Sequence, residues 1–108
     1  MLSPVQLNHC AAVLAQMLTF SQPADAVLSV YLRRHPKLGR NDRHEIAETA
    51  FAALRHYQKI NAVLPKPAED SRRAALAALV LGRACNISQL DSVLDEGERE
   101  FLSRLKAV

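Results

Sequence analysis

The sequence predicts an all-α domain, a compact bundle of four to six helices without strands. Three observations carry this. Hydrophobic residues make up 49% of the 108 positions but aromatics only 5%, so the apolar bulk is Ala, Leu and Val, which suits packed helices better than a sheet. Three glycines and five prolines leave few turns, and hence few, long elements. Apolar residues recur at helical rather than alternating spacing, with no internal repeat or low-complexity segment. A chain of this length forms one domain and can bury a real core.

Each element has its own signals. Ser3-Pro4 is a good helix start, because serine can accept from a free backbone N–H and proline has none to leave unpaired. Leu7, Cys10, Ala11, Leu14, Met17 and Leu18 carry that first helix to about Phe20. Ser21-Gln22-Pro23 breaks it and starts a second, with Val27, Val30 and Tyr31 on its apolar side. Arg33, Arg34 and His35 crowd its last turn, and Pro36 stops it. A third helix is expected from Asn41 or Asp42 to Leu64, opened by an Asp42-x-x-Glu45 arrangement related to the capping box. Its inner side should carry Ile46, Ala50, Ala53, Leu54, Tyr57 and Leu64, and its outer side Glu45, Glu48, Ala52, Arg55 and Lys59. Pro65 and Pro67 end it. A fourth helix, Asp70 to Cys85, is apolar almost all round from Ala74 to Leu81, the mark of a central buried helix. After a break at Asn86-Ile87-Ser88, Ser88 can cap a short turn through Leu94. A last helix starts with acid at Asp95, Glu96 and Glu98 and ends with base at Arg104 and Lys106, both favourable to its dipole.

Several function classes are disfavoured. Residues 1–24 are uncharged, but no Lys or Arg precedes an apolar core as in an export signal. Gln6, Asn8, His9 and Gln16 interrupt the run short of a membrane span. The expectation is a soluble, cytoplasmic protein with no membrane partner. Cys10 and Cys85 lie far apart without metal-ligand spacing, so both are expected as core thiols and no metal is expected. No Ser-His-Asp grouping, carboxylate pair or nucleotide-binding glycine pattern is visible. His9 and Cys10 adjoin in sequence, but neighbours on a helix point about 100° apart and cannot readily meet.

Charge is unevenly placed. Between Arg33 and Lys59, seven Lys/Arg face three acids, a balance of +4; between Asn86 and Glu100, five acids face Arg99 alone, a balance of −4. A basic helix end and loop suits phosphate contacts, where released counterions supply much of the affinity. It also suits a solvated face, since arginines are expected at a helix C-terminus on dipole grounds alone. The RNA-contacting candidates are Arg33, Arg34, Lys37, Arg40, Arg43 and Lys59, with Arg72, Arg73 and Arg83 as possible extensions. Asp42 is expected to cap its helix. Arg43 and Arg55 can either clamp carbonyls or carboxylates of adjacent helices or touch RNA. For both the structural role is the favoured one, although Arg43 is kept among the RNA-contacting candidates.

The stretch Leu38 to Leu64 adds a resemblance. Leu38, Gly39, Asp42, Arg43, Phe51, Leu54 and Arg55, with Ile60 to Leu64 behind them, resemble the signature of the NusB-like helical domain that precedes the catalytic domain in Sun-family (RsmB-like) RNA cytosine-5 methyltransferases. The likeness is strongest over residues 23–64. It implies a NusB-like bundle that engages ribosomal RNA, while a following Rossmann-like domain binds S-adenosylmethionine and supplies the cysteines of catalysis. Neither Cys10 nor Cys85 lies in such a motif. The chain itself is therefore expected to be non-catalytic and to bind no cofactor, and it looks like an N-terminal region ending before a linker. Residues 1–24 lack the arginines through which some relatives touch RNA, which shifts the expected RNA surface to residues 33–59. The alternative is a protein-interaction module or NusB-like transcription antitermination factor; a small enzyme is the third class.

Overall fold

A capping box opens the first helix. In the computed structural model, which describes residues 2–108, the Ser3 hydroxyl accepts from the Gln6 N–H at 3.1 Å and the Gln6 side-chain oxygen accepts from the Ser3 N–H at 3.0 Å. Two otherwise unpaired donors are thus satisfied at the head of α1 (Pro4–Met17). The helix ends three residues before the expected Phe20, which itself takes a left-handed φ of 56°. Next come α2 (Ala24–Arg33), α3 (Arg40–Arg55), α4 (Tyr57–Val63), α5 (Ser71–Gly82), a 3₁₀ segment (Ile87–Val93) and α6 (Glu96–Lys106). The fold is all-α, with no strand among the described residues, and its seven helical elements slightly exceed the four to six expected. No described helix is long and apolar enough to cross a membrane.

The alanine-rich α5 is the centre. Ala74 to Leu79 are all buried, and α1, α3 and α6 all pack on it, α1 and α3 also against each other. Small side chains let those axes come close. At the tightest point a Cβ on Gly82 would lie 2.7 Å from the Ala52 Cβ, so the residue there has to be glycine for α3 and α5 to meet as they do. Phe101, Leu102 and Leu105 of α6, Leu14 and Met17 of α1, and Ile46 and Ile60 fill the remaining core. Each such side chain contributes about 1.5–3 kcal/mol by leaving water.

Four local expectations need correction. The expected single helix through Leu64 is two helices, broken at His56, because α3 lies on α5 while α4 turns to seat Ile60 against α6. Ala52, expected on the outer side with the charged residues, is fully buried, because α5 covers it. Helix α3 starts at Arg40, one residue earlier than expected. Gly39 is the cap residue, and Asp42 sits a turn in, with its Oδ2 accepting a long 3.4 Å contact from the Gly39 N–H. Glu45 takes no part in that cap and pairs with Arg83 instead. Finally, Asn86 and not Ser88 caps the 3₁₀ segment: its side-chain oxygen accepts from the Gln89 N–H at 3.1 Å and from the Ser88 hydroxyl at 2.7 Å.

Candidate nucleic-acid interface

The loop between α2 and α3 is short, and one side chain holds it. Helix α2 runs out at Arg33, and Pro36 has no N–H with which to continue it. The chain then doubles back to Gly39 and enters α3. Arg43, on the first turns of α3, reaches back under this loop. Its Nε donates to the Leu38 carbonyl at 2.9 Å, and its two terminal nitrogens donate to the carbonyls of Leu32 and His35, each at 3.2 Å. A planar guanidinium presents five donors in a fixed fork, so the last turn of α2 (Leu32) and two points of the loop (His35, Leu38) are tied to one rigid group. The Asp42 carboxylate fastens the same corner to α1, accepting from the Gln6 side-chain amide at 2.7 Å.

A ring cluster supports the other side of the loop. The Tyr31 hydroxyl and His9 Nδ1 share a hydrogen bond of 2.7 Å, and His35 Nδ1 lies 2.8 Å from the Tyr31 carbonyl. The His35 ring stacks on Tyr31 at 4.2 Å between centroids, and His9 stands edge-on to both. Burial pushes the Tyr31 hydroxyl above its ordinary pKa, with the Cys10 thiol adding in the same direction, so Tyr31 stays a neutral hydrogen-bonding group.

On this frame stand Arg33, Arg34, Lys37 and Arg40, all exposed. Among the described residues none of the four takes part in an ion pair. The loop thus offers cations on a backbone fixed from beneath. Arg43 is not among them: it is half-buried, and three of its five donors are engaged by backbone carbonyls.

Lys59 and Arg55 lie elsewhere. Helix α3 has 16 residues, about 24 Å at a rise of about 1.5 Å per residue, and the two belong to its far end and to α4. There they neighbour a second surface, on which Phe20, 56% exposed, stands edge-on to Tyr57 at 4.9 Å between centroids. The six expected RNA-contacting residues therefore divide into four loop cations, the buttress Arg43, and Lys59 at the opposite end.

Arg55 departs from expectation. It is exposed and, among the described residues, is in no ion pair. The partly buried clamps belong to other arginines. Arg83 donates to both Glu45 oxygens at 3.3 and 3.1 Å and to the Thr49 hydroxyl at 3.2 Å, joining the end of α5 to α3. Arg72 donates to the buried Glu98 at 2.7 Å and to the Val93 carbonyl at 2.7 Å. Arg73 lies over the Phe101 ring and 4.0 Å from Asp70. These three stitch the bundle and are poor extensions of an RNA surface.

Sequence reasoning missed the ring cluster. The Tyr31–His35 pair had a signal, since residues four apart share a helix face. His9 had none, being 22 residues from Tyr31.

Neither cysteine is a ready nucleophile. Cys10 is fully buried beside the Ile46 carbonyl. Burial pushes its thiol up to about 12, against a smaller opposing effect of the Thr49 hydrogen bond. Burial also raises Cys85. His9 shares its hydrogen bond with the Tyr31 hydroxyl. No three His, Cys, Asp or Glu side chains among the described residues converge as a metal-binding group. Fold and surface together define a small helical domain with a rigid cationic corner. Compared with protein-family models, curated proteins and solved structures, the chain matches none.

Proposed function

We propose that this chain is an RNA-binding, non-catalytic accessory domain of an S-adenosylmethionine-dependent ribosomal RNA cytosine-5 methyltransferase, working in the cytoplasm. The observation that carries RNA binding is the set of four exposed cations, in no ion pair among the described residues, on the α2–α3 loop and the two helix ends that flank it, a corner that Arg43 ties together. Phosphates can be met there without first ordering the backbone, and ordering is a main cost of association. The methyltransferase context rests on the resemblance of Leu38, Gly39, Asp42, Arg43, Phe51, Leu54 and Arg55. Asp42 and Arg43 of that motif are the two residues that build the cationic corner. In this reading S-adenosylmethionine belongs to a catalytic domain.

The contacts are to backbone phosphates, so sequence preference is weak and salt dependence strong. With four cations, not all able to reach phosphate together, the log–log salt slope is expected at about −2 to −3. Fluorescence anisotropy with a structured RNA measures it. Charge reversal at Arg33, Arg34 and Arg40 together should abolish most binding while the helical circular dichroism signal stays intact. Binding that ignores both salt and this triple change would sink the proposal and favour a protein-interaction module.

A further inference from the structure

Beside the cationic loop lies a groove that phosphate contacts alone leave unused. It runs between the start of α1 and the α2–α3 loop and encloses about 490 Å3, within the range of about 300–1,000 Å3 usual for sites that take a small molecule. Val5, Pro36 and Leu38 make its apolar part, and Val5 is 62% exposed although it sits on the first turn of a helix. The rings of His9 and His35 line it, held in place through Tyr31. Arg34 and Lys37 stand at the same groove. Planar rings, an apolar wall and two cations together match a nucleotide: a flat base with a phosphate on either side.

We propose that this groove holds one unpaired nucleotide of the RNA, its base against the His9 and His35 rings and its phosphates on Arg34 and Lys37. The inference rests on the RNA-binding reading above and adds what that reading lacks, a reason to prefer an interrupted helix to a continuous one. Bases in a paired stem are stacked and closed to side chains, whereas bulged or looped bases can be splayed onto aromatic rings, histidine included. Asp42 also lines the groove. Its charge is not a free repulsive one: its two oxygens accept from Gln6 and the Gly39 N–H, and it sits at the positive end of α3. The groove has room for one base and its sugar, not for a run of stacked bases. It therefore reads an interruption in the RNA more than its sequence.

The test compares three RNA hairpins with one common stem: fully paired, carrying a one-nucleotide bulge, and carrying the same bulge without its base. The bulged hairpin should bind about tenfold tighter than the paired one, at the low end of what base–aromatic stacking contributes. The abasic bulge should fall back to the paired value. His35→Ala should erase the difference between bulged and paired hairpins. In the unmutated protein the imidazole ring nitrogens of His9 and His35 should shift in NMR spectra with the bulged hairpin and not with the paired one, which keeps the test valid if the variant folds poorly. Equal, salt-dependent affinity for all three hairpins would overturn the groove and leave the phosphate reading standing. Saturable binding of a free nucleoside monophosphate without any gain from the bulge would also overturn it. Failure to bind any hairpin would remove both.

Discussion

Arg43 and Arg55 occupy similar sequence settings, and the structure makes them opposites in a way that stability measurements can read. Arg43→Ala removes three hydrogen bonds to loop carbonyls. A hydrogen bond to a charged group is worth about 1.5–3 kcal/mol, so three would sum to several times the cost of an ordinary substitution. The side chain is only half-buried, however, and water can reach part of what it leaves. The expected loss is therefore about 2–4 kcal/mol, a large share of the roughly 5–15 kcal/mol that holds a domain together. At about 4 °C per kcal/mol for a chain of this length, the melting temperature should fall by about 8–16 °C. Arg43→Lys should lie in between, because an ammonium on a flexible stem cannot span all three carbonyls. Arg55→Ala, at an exposed site with no ion pair among the described residues, should stay within about 0.5 kcal/mol of wild type. Urea and thermal unfolding followed by circular dichroism measure all three. An Arg43→Ala protein melting within about 2 °C of wild type, or an Arg55→Ala protein melting as low as Arg43→Ala, would refute the buttress.

Three further outcomes follow from the packing. Gly82→Ala should cost about 1–3 kcal/mol by overpacking, because the new methyl falls 2.7 Å from the Ala52 Cβ; Ala52→Gly in the same chain should recover part of this, and a neutral Gly82→Ala would show that α3 and α5 are farther apart. Ala84 holds a left-handed φ of 53°, a conformation that costs a non-glycine residue about 1–2 kcal/mol, so Ala84→Gly should raise stability by about 0.5–1 kcal/mol after the looser unfolded chain is counted; a lower urea midpoint would contradict this. The Cys10 thiol, raised from 9.0 to about 12 by burial, stays protonated in the folded state where the unfolded state has already lost its proton. Its contribution to stability is complete below pH 9 and is lost as the pH climbs towards 12, at no more than about 1.4 kcal/mol per pH unit. Cys10→Ser should flatten that decline, though not abolish it, since Tyr31 and Cys85 are raised too; an unchanged slope would exclude Cys10 as its source.

What could be read in the sequence was whatever local chemistry decides. Ser3, Pro23, Pro36 and Asp95 mark helix boundaries because a cap or a missing N–H acts within four residues. The buried run of α5 was legible because it is apolar all round. The bend at His56 was not, since residues 55–57 hold neither glycine nor proline and the turn is imposed by α6, some 40 residues further on. Ala52 was misassigned because alanine suits a solvated face and a crowded interface equally well. Arg43 and Arg55 could not be told apart, because Arg43 finds its partners 5, 8 and 11 residues upstream, and only the path of the loop brings those carbonyls together. The ring cluster escaped because His9 approaches from another helix.

The use made of each charge matters more than the net +3. The acidic segment is largely consumed by the fold: Glu98 is buried against Arg72, Asp91 pairs with Arg99 at 2.7 Å, and Asp95 caps α6 through the Glu98 N–H at 2.7 Å. Arg72, Arg73 and Arg83 are consumed likewise, so the bundle is built from matched charges and its surface field comes from what is left over. Among the described residues eight exposed Lys/Arg stand outside any ion pair: Arg33, Arg34, Lys37 and Arg40 are grouped at the α2–α3 corner, whereas Arg55, Lys59, Arg104 and Lys106 are spread over α3, α4 and α6, with exposed Glu96 and Glu100 also on α6. In the RNA-binding reading proposed above, the domain would meet a polyanion with that corner foremost, since a localised patch steers approach where the same charge spread evenly would not. A fixed loop then converts approach into a defined pose, because its carbonyls are already held by Arg43 and little backbone freedom remains to be lost. That is the property an RNA-positioning domain needs when the chemistry happens elsewhere.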